Sequence, residues 1–149
     1  MSQATRGEIE QFFAAELPFF SSLGFLIESV DDGKGRARFV YDEKWTRPFG
    51  VINGGTLMAL ADVATYLALF GRLGIVPLAV TNELKMNFLR PAIGGDVIAA
   101  AELLKVGRRI AYAAVDVFMA DDPGRLIAHA TSSYVLPEEE TGEDGRTGA

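Results

Sequence analysis

The chain contains no cysteine and only one histidine, His129. The first absence excludes disulfides, thiolate metal ligands and a cysteine nucleophile, and the second excludes a multi-histidine metal site within one chain. No resident metal or cofactor is expected. Basic residues are also scarce: 14 Lys and Arg stand against 20 Asp and Glu, for a net charge of −6 at pH 7. That balance argues against nucleic acid or an anionic membrane surface as a partner. No apolar run reaches the roughly 18 residues a spanning helix needs, and MSQATRGEIEQFF lacks the basic-then-apolar order of a signal peptide. A cytoplasmic location is expected.

What is present is enough apolar material for one core. At 149 residues and 49% hydrophobic, the sequence predicts a single domain over 1–136. The remaining PEEETGEDGRTGA has almost nothing to bury and is expected to be a disordered acidic tail over 137–149. Ile9, Phe12 and Phe13 at helical spacing predict a short amphipathic helix over 4–16 that covers a sheet edge. Extended segments at 23–27 and 35–41 flank Asp31-Asp32-Gly33, the signature of a hairpin. Asn53 suits the cap of a long helix that opens at Gly54-Gly55, and Gly71 or Gly74 suits its end. After Pro77, segments near 78–89, 96–106, 109–119 and 125–136 are separated by short turns, which predicts an antiparallel meander.

Two strands, one long helix and four more strands give an α+β architecture, an antiparallel sheet wrapped around a central helix, which is the hotdog pattern. Between Gly55 and Phe70 the helix carries one ionisable residue, so it is expected to be buried nearly all round. That residue is Asp62. Burying a carboxylate is costly unless it is paired, and proteins keep such groups where a tuned charge is useful, which makes Asp62 a candidate base. Pairing with a strand arginine, or capping a neighbouring backbone group, is the structural alternative. Gly54-Gly55 at a helix start leaves backbone N–H groups uncovered, and these can hold an anion or polarise a carbonyl oxygen. An ordinary loop-to-helix turn is the more common use of such a pair.

The segment GVINGGTLMALADVATYLAL resembles the helix-opening signature of phenylacetate-degradation (PaaI-like) hotdog acyl-CoA thioesterases, in the 4-hydroxybenzoyl-CoA thioesterase superfamily. The resemblance continues through LAVTNELKMNFLRPAIGGDVIAAAELLKVGRRIAYAAVDVF and RLIAHATSSYVL, covering about residues 35–136. It implies hydrolysis of an acyl-CoA thioester, with coenzyme A entering only as part of the substrate. Residue by residue, it implies that the Gly55 N–H polarises the thioester carbonyl and that Asp62 is general base or nucleophile. It also implies that Thr81 holds the attacking water. Asn53 stands where the family often has histidine, and Arg47 where it often has asparagine or glutamine; both departures bear on substrate class. Gly54, Asn53, Arg47, Arg108 and Arg109 are the implied substrate-binding residues, with Lys85 and Arg90 as further candidates for the coenzyme A phosphates. Trp45, Phe49, Tyr66 and Phe70 are candidates to line an acyl pocket, with core packing as the default for all four. His129 alternates along the last strand as a structural or surface residue. A homodimer, and a possible tetramer, is the implied assembly.

Helix geometry adds a point that owes nothing to the family. Gly55 and Asp62 share a helix face but are separated by roughly 10 Å along the axis, so both cannot grip one carbonyl. A site that uses both must draw them from two subunits related by a two-fold axis. A non-catalytic acyl-CoA-binding domain is the alternative of a different class. A hotdog hydratase or dehydratase ranks lower, because it would need a histidine by the central helix.

Overall fold

The computed structural model of the chain describes residues 1–138. Two short helices, α1 (Arg6–Glu16) and α2 (Pro18–Ser22), precede a hairpin of β1 (Phe25–Asp31) and β2 (Lys34–Phe39). Two-residue strands β3 (Thr46–Arg47) and β4 (Val51–Ile52) lead into the 20-residue helix α3 (Gly54–Leu73). Four long strands follow: β5 (Val80–Phe88), β6 (Val97–Val106), β7 (Ile110–Met119) and β8 (Asp122–Val135). The expected disordered tail falls mainly on 139–149, outside the described residues.

The six longer strands form one antiparallel sheet in the order β1-β2-β6-β7-β8-β5. The fold is the hotdog arrangement of a sheet around a central helix. The meander, however, covers only β6 to β8. Residues 89–96 do not make a tight hairpin at Gly94-Gly95; they cross past two strands and leave β5 on the far edge beside β8. The crossing is tied down where Ile52 N–H donates to the Ala92 carbonyl at 2.9 Å. Glycines identify turns without saying which strands they join, and that is why the sequence expectation misplaced β5.

Why α3 is a helix follows from its content and its ends. Ala, Leu and Met dominate, the Asn53 side chain accepts from Thr56 N–H at the start, and Gly74 at φ +82° ends it. Leu60, Leu67, Leu69 and Phe70 are fully buried, each contributing roughly 1.5–3 kcal/mol of apolar burial. Gly71 lies within the helix as a contact point, since a Cβ there would overlap the Asp31 carbonyl. By length and hydropathy α3 could cross a membrane, but 72% of its most apolar window is buried inside the fold.

α1, capped by Thr5, lies against the edge strand β1 as expected, with Arg6 donating to the Glu28 carbonyl at 3.5 Å, and it also reaches the central helix. Phe12 and Phe13 pack against Phe70, with ring centroids 5.5 and 6.1 Å away, so α1 covers the C-terminal half of α3. The N-terminal half has no such cover. Gly55 is exposed and Met58, Ala59 and Asp62 are half-buried, one stripe at helical spacing. Burial nearly all round therefore does not hold within one chain: a single sheet and one helical hairpin leave this stripe open.

Candidate active site

Asp62 is half-buried on that stripe, and two hydroxyls converge on the same carboxylate oxygen. Thr81 Oγ1 donates to Oδ1 at 2.7 Å, and Tyr134 OH donates to Oδ1 at 2.7 Å. The Tyr134 hydroxyl is also 3.1 Å from the Asp62 main-chain carbonyl. Among the described residues no donor is bonded to Oδ2 and no arginine pairs with Asp62, so the structural alternative of a strand arginine does not apply.

Strand register explains how the two hydroxyls meet. Thr81 on β5 is opposite Tyr134 on β8, and directly opposed residues present their side chains to one face. Period-two alternation from Met86 and Leu84 would turn Asn82 inward and Thr81 outward. A bulge between Thr81 and Glu83 shifts the register by one residue and returns Thr81 to the inner face. Asn82 instead donates to Ser133 Oγ at 3.0 Å.

Tyr134 was missed by the sequence reading. It is 3% exposed, stacked on Tyr66 at 5.7 Å between centroids. Burial first, and then the Asp62 charge, push the ionisation of its hydroxyl far above the ordinary tyrosine range, so it stays a donor. The same two causes raise Tyr66. In SSYVL the only available signal was an aromatic with a polar tip on an inward position of the last strand.

The start of α3 is a separate place. Asn53 is fully committed to structure: Oδ1 accepts from Thr56 N–H at 2.9 Å, while Nδ2 donates to the Trp45 carbonyl at 2.7 Å and to Thr56 Oγ1 at 2.8 Å. Both amide hydrogens are used, and none is left for a substrate. Among the described residues the Gly54 and Gly55 N–H groups meet no protein acceptor. The two glycines differ, because a Cβ on Gly54 would come within 3.1 Å of the Phe88 ring, whereas one on Gly55 would meet only Asn53 Oδ1 at 3.2 Å. Beside Gly54 a cavity of about 360 Å³ is lined by Arg47, Leu57, Phe88, Arg90 and Ala92 among others. It joins an apolar floor to two cations and a helix N-terminus, which suits an acyl or anionic group.

The remaining candidates scatter. Arg108 and Arg109 form the β6–β7 turn, at the end of the sheet that carries Thr81 and Tyr134, and Arg109 is paired with Glu138 at 2.5 Å. Tyr66 and Phe70 belong to the core, whereas Phe49 is 95% exposed. His129 pairs with Asp116 at 2.8 Å and lines a surface depression on the sheet with Arg36 and Glu102, away from α3. Among the described residues no group of three metal-ligating side chains occurs.

Against known proteins, the family model described as "Thioesterase superfamily" matches residues 49–125, which include Asp62, Thr81 and the start of α3. The chain is 32% identical to a candidate esterase of Saccharolobus solfataricus over 83% of its length and 81% of the relative's. It is 32% identical to the 1,4-dihydroxy-2-naphthoyl-CoA hydrolase of Escherichia coli, over 70% of this chain and 77% of that protein. Among solved structures, a mutant of the phenylacetic acid degradation protein PaaI from Thermus thermophilus superposes with a TM-score of 0.71 at 29% identity, covering 80% of this chain and 99% of the other.

Proposed function

The chain belongs to the thioesterase superfamily, and from that premise we propose that it hydrolyses an acyl-CoA thioester to the free acid and coenzyme A, in the manner of PaaI-type enzymes. The observation that carries this reading is the Asp62 carboxylate, held by Thr81 and Tyr134 through one oxygen and open at the other.

Asp62 takes a proton from water as the oxygen attacks the thioester carbon, or attacks that carbon itself to give a mixed anhydride that water then opens. In either course the carbonyl becomes an oxyanion, and the Gly55 N–H at the α3 N-terminus holds it. The C–S bond breaks, the electron pair leaves on sulfur, and the thiolate is protonated as coenzyme A departs. Thr81 can accept a hydrogen bond from the attacking water while donating to Asp62. Arg47 and Arg90 at the cavity, with Arg108 and Arg109 at the β6–β7 turn, supply charge for the coenzyme A phosphates or for an anionic acyl group.

Asp62 and Gly55 of one helix are too far apart to share a carbonyl, so the site forms between two subunits. Two features support a homodimer. Among the described residues β5 is an edge strand of nine residues with one side of its backbone unpaired. Val80 and Phe88 on it are 57% and 52% exposed, alongside the open stripe of α3. The hydratase reading has no support at the helix, because the one histidine is paired with Asp116 on the sheet's other side. A panel of acyl-CoA substrates assayed with a thiol reagent tests the proposal: release of free coenzyme A from at least one is expected, and stoichiometric binding without release from any would leave a binding domain.

A further inference from the structure

We infer that Tyr134 is a positioning residue that fixes the rotation of the Asp62 carboxylate and thereby assigns the reaction to Oδ2. The inference rests on the reading of Asp62 given above and adds to it a residue and a specific atom.

A carboxylate on a helix has a broad terminal torsion, and without partners both its oxygens would sample the same positions. Here Oδ1 receives two short hydrogen bonds from opposite strands, Thr81 on β5 and Tyr134 on β8. The two donors differ in quality. Thr81 is exposed in the single chain, so its hydroxyl can turn to water, whereas Tyr134 is 3% exposed and its ring is locked between the sheet and Tyr66. A buried phenol hydroxyl keeps its partner because leaving it unpaired is costly. Its hydrogen has one short acceptor, Asp62 Oδ1, with the helix carbonyl at 3.1 Å as a poorer one. Oδ1 is thus saturated from inside the chain, and Oδ2 is the oxygen presented outward to water or to the thioester carbon.

A purely structural tyrosine would predict something different. If the hydroxyl only joined β8 to α3, its removal would cost stability and leave the turnover of the folded enzyme unchanged. If it orients the reacting carboxylate, the loss appears in kcat and not in KM. The test is Tyr134→Phe, which keeps the ring and its stack on Tyr66, measured as steady-state kinetics on the native assembly, alone and in an Asp62→Ala background. The expected result is a kcat lower by roughly tenfold, the scale of a hydrogen bond to a charged group. KM should stay within about twofold, and no further loss should appear once Asp62 is gone. Wild-type kcat in the folded variant overturns the inference, as does an equal fractional loss of residual activity without Asp62. High activity in Asp62→Ala itself sinks the underlying reading instead, so the two failures are separable. Should Tyr134→Phe not fold, proton NMR of the intact protein decides. A slowly exchanging, downfield tyrosine hydroxyl proton that moves upfield in Asp62→Ala supports the bond to the carboxylate, and one that does not move contradicts it.

Discussion

At Asp62 the polar contacts are made within the chain, while two helical turns earlier, at Gly54 and Gly55, the backbone donors have no acceptor among the described residues. The first place is rigid, with a buried tyrosine and a bulged strand fixing one oxygen. The second is open, with a cavity, two arginines and free N–H groups. Chemistry that needs a base and an anion hole finds both on one helix face, but at the wrong separation for one chain. The difference teaches that one chain keeps its carboxylate and its uncovered donors about two helical turns apart, so that on the proposed function their union falls to a second copy.

Removing the base should have the largest effect on this contrast. Asp62→Asn is expected to keep the fold, since asparagine can still accept from Thr81 and Tyr134, and to lower thioester hydrolysis by about two or more orders of magnitude. Steady-state assay of the best substrate checks it, and near-normal turnover would transfer the chemistry elsewhere. The helix start should respond differently, and its two glycines unequally. Gly54→Ala places a methyl group against the Phe88 ring beside the cavity and is expected to cost roughly tenfold in kcat/KM through KM, as a misplaced methylene in a pocket does. Gly55→Ala places its methyl 3.2 Å from Asn53 Oδ1 and away from the cavity-lining Phe88 ring, and it keeps its N–H, so a smaller loss is expected. Equal losses in the two would erase the distinction.

Arg47→Asn sharpens the same region. A permanent cation at the cavity rim favours anionic groups, and its loss should reorder activity across a substrate panel. Stability should change by no more than about 0.5 kcal/mol in a denaturant titration, as for other exposed sites. An unchanged substrate profile would remove Arg47 from the site. The smallest effect lies away from both half-sites, where Arg38 joins Glu28 and Asp96 across β1, β2 and the start of β6. The hydrogen bond from Arg38 holds Glu28 below its usual carboxylate value of 4.5. Its contribution is therefore fully present above that value and is lost as the pH falls through the folded one. Glu28→Gln should cost well under 1 kcal/mol at pH 7, or about half of that after solvent screening, and the difference from wild type should vanish in acid unfolding curves.

Much of this was legible in the residues. The single acid in an apolar helix pointed to Asp62, and the Asn53-Gly-Gly start and the turn glycines marked most element boundaries. What stayed hidden depended on pairing. The place of β5 follows from a crossing that no local turn reveals, and the inward aim of Thr81 follows from a bulge that breaks the period-two rule. Tyr134 became visible only once β8 lay beside β5, 72 residues from the aspartate it bonds. Asn53 was identified as a cap from its residue type, while the exhaustion of its donors needed the Trp45 carbonyl in place. Asp62 was expected to be buried, and its half-exposure reflects a helix face that one chain does not cover.

The most direct test of two half-sites joined across subunits is complementation between folded, inactive variants. Gly55→Pro removes the N–H at a position where proline is tolerated in a first helical turn, and Asp62→Asn removes the base. After subunit exchange about half of the dimers are mixed, each with one intact and one doubly damaged site, so activity should return to roughly a quarter of wild type. Demonstrated exchange with no recovery of activity would contradict the shared site and require Asp62 to work with donors of its own chain.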